Sequence, residues 1–280
     1  MRYLSPAKIN LFFRVLLKRP DGFHEIASVF QAIDLCDVLT FVNHPRDLLT
    51  CSDSSLPCDE SNLVMKALSL FRQHYEFPSV LIHLDKRVPM QAGLGGGSSN
   101  AATVLWALNE KIGRRATISQ LCSIGAKLGS DVPFFFSLGS AYCSGRGEIF
   151  ESFSCSSTIG YLAKPSFGLS TPLVYRETRV DELALIDPIE ARKSFHSLSP
   201  QHFNDLEPAA LRVEPRLAKF KERLLSCGFS VVSMTGSGTA FFCLGGGESY
   251  LPPDIQFTPF QSLTRDPNSW YGFDQHICHQ

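Results

Sequence analysis

Ile9, Leu11 and Phe13 fall at alternate positions near the start of the chain, the period of a strand with a buried face. The polar turn Arg19-Pro20-Asp21-Gly22 interrupts this run, and residues 26–33 read as extended again. A short strand over 38–42 and a loop-like stretch over 44–60 follow. Ser61 or Asn62 then caps a helix on which Val64, Ala67, Leu68 and Phe71 recur at i, i+3, i+4, i+7. An alternating strand over 80–84 leads through Asp85–Pro89 into a glycine-rich loop at 92–99. Ala101, Val104, Leu105 and Leu108 mark the helix behind it, and Thr117 caps another that Gly129 stops.

Beyond a polar stretch at 154–157 the pattern starts afresh. It predicts a strand over 158–163, helices around 184–195 and 207–226, and strands 231–235 and 240–244 joined by Gly236-Ser237-Gly238. Two domains are expected, 1–154 and 155–280, with a proline-punctuated tail at 245–280 that has no clean period. Strands and helices mixed in this way predict an α+β fold.

Composition narrows the class. Of 280 residues, 44% are hydrophobic and 19% charged, so a sizeable core is available and disorder is not the expected state. The apolar runs fall far short of the ~20 residues that cross a bilayer, which argues against a membrane protein. The opening Met1-Arg2-Tyr3-Leu4-Ser5-Pro6 lacks the apolar stretch of a signal peptide, so a cytoplasmic protein is expected. Twenty-six basic against 27 acidic side chains, net −1, leave no footprint for nucleic acid. The nine cysteines are odd in number and sit mostly in apolar segments, as small core residues do. His276-Ile277-Cys278-His279 has metal-binding atoms but reads first as a frayed terminus.

The chemistry concentrates in a few short stretches. In Pro89-Met90-Gln91-Ala92-Gly93-Leu94-Gly95-Gly96-Gly97-Ser98-Ser99, four glycines precede a helix, so main-chain N–H groups can converge on an anion at its positive end. No Lys follows the last glycine, which excludes a Walker A loop, and Ser98 replaces the third glycine of a dinucleotide fingerprint. A plain turn needing φ > 0 is the competing explanation. Lys8 and Asn10 share one side of the first strand, as an exposed face or a functional one. Asp131, in Gly129-Ser130-Asp131-Val132-Pro133, is a turn former or a partly desolvated base. Gly236-Ser237-Gly238 is an ordinary hairpin turn or a close approach to a ligand. Phe23 and His24 are a packed pair or a binding pair.

Taken in order, Pro6-Ala7-Lys8-Ile9-Asn10-Leu11, the Pro89–Ser99 loop and Gly236-Ser237-Gly238 resemble the three motifs of the GHMP small-molecule kinases. Arg19-Pro20-Asp21-Gly22-Phe23-His24, the Gly-Ser-Asp-Val-Pro-Phe-Phe stretch at 129–135 and Asn204-Asp205-Leu206-Glu207 narrow the likeness to a branch whose acceptor carries a cytidine diphosphate group. The resemblance spans about residues 4–244. It implies a two-domain GHMP fold, with a mixed-sheet N-terminal domain and an α/β-sandwich C-terminal domain. It implies ATP as co-substrate with Mg²⁺, and phosphorylation of an alcohol in isoprenoid precursor synthesis. Lys8 and Asp131 match the catalytic pair, and Pro89, Met90, Gln91, Ala92, Gly93, Leu94, Gly95, Gly96, Gly97, Ser98 and Ser99 match the ATP-phosphate loop. Asn62, Lys86 and Asn100 match neighbouring nucleotide contacts. Asn10, Phe23, His24 and Tyr175 match positions around the cytidine diphosphate, with Phe23 and Tyr175 expected to sandwich the base. Metal ligands are not identified, Ser98 being the nearest candidate by analogy. Phe23 stands where Tyr is frequent, Met90-Gln91-Ala92 where glycines are common, and the 245–280 tail has no counterpart. A GHMP kinase for another alcohol and a non-catalytic nucleotide-binding homologue are the competing functions.

Overall fold

The computed structural model describes residues 1–197, 199–247 and 251–272. In chain order the elements are β1 (Arg2–Lys18), β2 (His24–Asn43), β3 (Leu48–Cys51), α1 (Leu63–Arg72), β4 (Val80–Asp85), α2 (Gly96–Lys111), α3 (Ile118–Ala126), β5 (Ser140–Gly145) and β6 (Ile149–Ser152). The second half holds β7 (Ile159–Ala163), α4 (Thr171–Arg176), α5 (Pro188–Ser194), α6 (Glu207–Val213), α7 (Arg216–Ser226), β8 (Val231–Met234), β9 (Phe241–Leu244) and β10 (Phe257–Gln261). The first sheet runs β3-β4-β2-β5-β6 with β1 paired to β2, and the second runs β10-β7-β9-β8. Among the described strands β3 and β4 alone pair in parallel, and a single parallel bridge joins Phe13 to Asn204.

The long hairpin of β1 and β2 is the frame of the site. Its register shifts at Pro6/Ala7, where Pro6 has no N–H to give the ladder, and again at Asn10/Phe12 and Val15/Leu17. The α1–α2–α3 layer covers one face with Phe71, Leu105, Leu108 and Leu121, all buried. Asn62, not Ser61, caps α1, its side chain accepting from the Val64 N–H. Thr117 and Gln120 form a capping box at α3.

Several expectations need correction. One strand, β2, replaces the two expected over 26–33 and 38–42, because the intervening Asp37 is a buried carboxylate with its own donors. Lys86 Nζ, the Arg87 and Val88 N–H groups and Asn100 Nδ2 all donate to it. A four-residue parallel edge strand, β3, lies inside the stretch read as loop. The helix expected over 207–226 divides at Glu214-Pro215, since Pro215 cannot donate within a continuing helix. The tail is also more than an appendage. β10 forms an edge of the second sheet, and the following residues return to the first. Leu263 N–H donates to Ala32 (2.8 Å) and Trp270 Nε1 to the Leu4 carbonyl (2.8 Å). Among the described residues no disulfide forms, and Cys143 and Cys243 are fully buried. The His276–His279 stretch lies outside the described residues.

Candidate active site

Lys8 projects from β1 on the face opposite Ile9 and Leu11, with its ammonium 4.8 Å from the centre of the Phe30 ring. Its main-chain N–H donates to the Leu94 carbonyl (2.9 Å), tying the strand to the glycine loop. Its Nζ donates to Asn10 Oδ1 (2.7 Å) and stands 3.5 Å from Asp131 Oδ2. Lys8 is 3% exposed, whereas the Asp131 side chain is 31% exposed and opens onto a cavity. The Lys8 and Asn10 face of β1 is therefore buried and polar, not an exposed strand face. Asp131 is held from behind by Val132 and by a 3₁₀ turn at Pro133–Phe136, all of it buried.

Asn10 does not line the cavity. Its carboxamide accepts from Lys8, donates to Ser28 Oγ (3.0 Å) and accepts from Thr235 Oγ1 (3.3 Å). That set places it beside Lys8, with its oxygen shared between the ammonium and Thr235.

The glycine loop ends on an open helix. Gly95 is the N-cap of α2 in the left-handed region (φ 66°), with no side chain capping the first turn. Gly93 also has positive φ (75°), and a Cβ there would stand 2.0 Å from the Thr235 carbonyl oxygen. Gly96 is helical, and there it is space that is short: a Cβ would meet Val88 Cγ1 at 3.0 Å. Ser98 lines the cavity, but Ser99 does not. One residue on a helix turns the side chain by about 100°, and Ser99 accepts a hydrogen bond from Ser5 Oγ (2.8 Å) in the core. Met90, Gln91, Ala92 and Leu94 line the cavity with the glycines. Lys86 is engaged by Asp37 (2.8 Å) and the Val88 carbonyl, Asn100 by Ser5 and Asp37, and Asn62 by Pro57, although all three reach the cavity wall.

The cavity, about 840 Å³, continues past Asp131 to an aromatic end. His24 is buried, and its ring lies 5.3 Å from that of Tyr175, tilted by 32°. Burial pushes the His24 imidazole below its ordinary pKa, with Lys18 adding to the effect. Phe23 is half exposed beneath the Arg146 guanidinium (4.8 Å). Phe23 and Tyr175 both line this end of the cavity, Phe23 stacked by Arg146 and Tyr175 by His24. Lys18, Arg146 and Arg176 line the same end and escaped the sequence reading, because an isolated cation carries neither a motif nor a periodic signal. Gly236 and Ser237 close the wall between the two ends, Ser237 hydrogen-bonded to Thr171 (2.7 Å).

Such a cavity has an anion-binding helix end, a Lys–carboxylate pair midway and an aromatic pocket beyond, as a small-molecule phosphotransferase requires. The model for the GHMP kinases N terminal domain matches residues 62–139 and that for GHMP kinases C terminal matches 182–250. The chain belongs to the GHMP kinases, with their two-domain α+β fold. It is 47% identical to a 4-diphosphocytidyl-2-C-methyl-D-erythritol kinase of Protochlamydia amoebophila, over 97% of this chain and 93% of the relative. A chloroplastic enzyme of the same name from Oryza sativa subsp. japonica is 40% identical over 97% and 73%. A crystal structure of 4-(cytidine 5'-diphospho)-2C-methyl-D-erythritol kinase superimposes with a TM-score of 0.81 at 33% identity, covering 95% of this chain and all of that one.

Proposed function

We infer that the protein transfers the γ-phosphoryl group of ATP to the 2-hydroxyl of 4-(cytidine 5'-diphospho)-2-C-methyl-D-erythritol, in the non-mevalonate route to isoprenoid precursors. The observation that carries this reading is the position of Asp131 and Lys8, midway between the glycine loop and the His24–Tyr175 pocket. A cytidine diphosphate held at the aromatic end leaves the alcohol beside Asp131, facing a nucleotide held at the α2 N-terminus.

Phosphoryl transfer asks the protein chiefly for positioning and charge stabilisation. The Gly95–Gly97 N–H groups and the α2 dipole bind the phosphates. Asp131 accepts the proton of the attacking hydroxyl, and Lys8 offsets negative charge at the acceptor. A neutral His24 offers one ring nitrogen as donor and the other as acceptor, which suits a cytosine edge. Arg146 and Lys18 supply positive charge beside the diphosphate.

Among the described residues no cluster of three His, Cys, Asp or Glu could hold a metal by itself. Ser98 and Asp131, which line the cavity, would hold Mg²⁺, and the ion would supply neutralising charge for the phosphates. No helix among the described residues is long and apolar enough to cross a membrane, and we place the enzyme in the cytoplasm. The test is a screen of acceptors with ATP and Mg²⁺. Transfer to the cytidine-diphospho alcohol, with mevalonate and homoserine left unphosphorylated, is expected. Preference for either of those alcohols contradicts the assignment.

A further inference from the structure

The stretch Asn204-Asp205-Leu206-Glu207 stands out in the sequence yet holds none of the reacting groups. Asn204 is buried, and all of its carboxamide is used. Its Nδ2 donates to the carbonyls of Met234 (2.7 Å) and Gly236 (2.8 Å), while Oδ1 accepts from the Leu206 N–H (2.9 Å). Those two carbonyls belong to the end of β8 and to the turn that lines the cavity. Glu207 holds the same strand end, accepting from the Met234 N–H (3.2 Å).

The other side of the segment holds β1. Asp205 N–H donates to the Phe13 carbonyl and Phe13 N–H to the Phe203 carbonyl, both at 2.8 Å. The Asp205 carboxylate accepts from Arg14 Nη1 (2.5 Å) and from the Val15 N–H (2.8 Å). Two parts of the site, the strand carrying Lys8 and the turn of Gly236 and Ser237, thus meet on one short segment. The turn has no slack toward either neighbour. A Cβ on Gly236 would stand 2.9 Å from the Gly93 carbonyl oxygen and 3.3 Å from Lys8 Nζ.

We propose that Asn204 is a positioning residue for phosphoryl transfer, its carboxamide fixing the 234–237 turn against Lys8 and the phosphate loop. The proposal rests on the kinase reading above. Only a neutral amide supplies two N–H donors at that spot together with an acceptor. A carboxylate of the same shape would turn an oxygen toward two carbonyls, and the turn would shift or loosen.

The test compares Asn204→Asp with Asp205→Asn, which loosens the same segment without touching the turn. Hydrogen exchange in the free protein and steady-state kinetics are read on both, with Tm as the common measure of stability. Asn204→Asp should speed exchange of the amides of 235–240 by ~10-fold or more and lower kcat by ~10-fold or more, with acceptor KM within about threefold, as expected of sub-ångström misplacement. Asp205→Asn should lower Tm comparably while kcat and turn exchange stay within about threefold of wild type. Should Asn204→Asp not fold, Asn204→Ala removes both N–H donors without a charge and is read the same way. Unchanged turn exchange, or equal kcat losses in the two variants at equal Tm loss, overturns the proposal. Exchange is measured without acceptor, so a wild type inactive on the cytidine-diphospho alcohol overturns the kinase reading and leaves the turn-fixing measurement intact.

Discussion

Lys8 Nζ stands 3.5 Å from Asp131 Oδ2 and 2.7 Å from Asn10 Oδ1, so one buried ammonium bridges the carboxylate at the cavity wall and the amide behind it. The arrangement leaves the Asp131 side chain open to the cavity while its charge is balanced from the protein side. That is the geometry a base needs when it must take a proton and leave phosphate charge unopposed by its own.

Asp131→Asn keeps the shape and removes the base. ATP affinity should stay within a few-fold, while turnover falls by at least ~10²-fold, the lower end for general-base loss. Nucleotide titration and single-turnover kinetics check it; near-normal turnover removes Asp131 from that role.

Gly93→Ala should damage the phosphate loop more than Gly97→Ala does. At Gly93 the new Cβ meets the Thr235 carbonyl oxygen at 2.0 Å on a backbone of φ 75°, whereas at Gly97 its nearest neighbour is the movable Leu63 Cδ1 at 3.3 Å. Strain and overpacking predict a loss of ~1–3 kcal/mol for the first and little change in Tm for the second, where alanine is the better helix former. Denaturant unfolding of both variants decides; equal stabilities contradict the close packing of the loop on the 235–238 turn.

The glycine loop, Lys8, Asp131 and the adjacent Phe23 and His24 were legible because each lies in a short motif with local chemistry. What escaped it depends on contacts far apart in the chain. Asp37 breaks the apolar period of β2 and is understood only through Lys86 and Asn100, 49 and 63 residues away. Ser99 looks equivalent to Ser98 until the helix is placed against Ser5. Ser28 and Thr235, the partners of Asn10, are likewise invisible in its own motif. The tail has no period because its residues serve two sheets in turn, one end paired with β7 and the other with Ala32 and Leu4.

Arg265 shows what that tail contributes. Its buried guanidinium donates to the carbonyls of Phe136, Ser137 (2.7 Å) and Ser269 (2.8 Å), capping the turn that follows Asp131. Arg265→Met would strand these acceptors and cost on the order of 3 kcal/mol, about 6–12 °C in Tm. Thermal unfolding measures it, and a shift under about 2 °C contradicts a structural role for the tail.

Acidification should weaken the protein through its histidines. Burial lowers the pKa of both His24 and His202 from the ordinary 6.5. The folded state therefore binds fewer protons than the unfolded chain, and the stability these groups contribute is full above pH 6.5 and lost as pH falls through the lowered values. Tm measured from pH 7.5 to 5 should fall on the acid side, with a smaller fall in His24→Ala. Equal slopes in wild type and variant contradict a buried neutral His24.

The account turns on the acceptor, and kcat/KM for the cytidine-diphospho alcohol against its uridine counterpart tests it most directly. Cytosine presents an amino donor and an N3 acceptor where uracil presents a carbonyl and an N3 donor, so a site paired to one edge leaves buried groups unpaired against the other. With His24 and Tyr175 as the base pocket, ATP-dependent transfer should favour the cytidine form by up to ~10⁴-fold, and His24→Ala should erode that preference while ATP affinity holds. Equal kcat/KM for the two forms in the wild-type enzyme would contradict it.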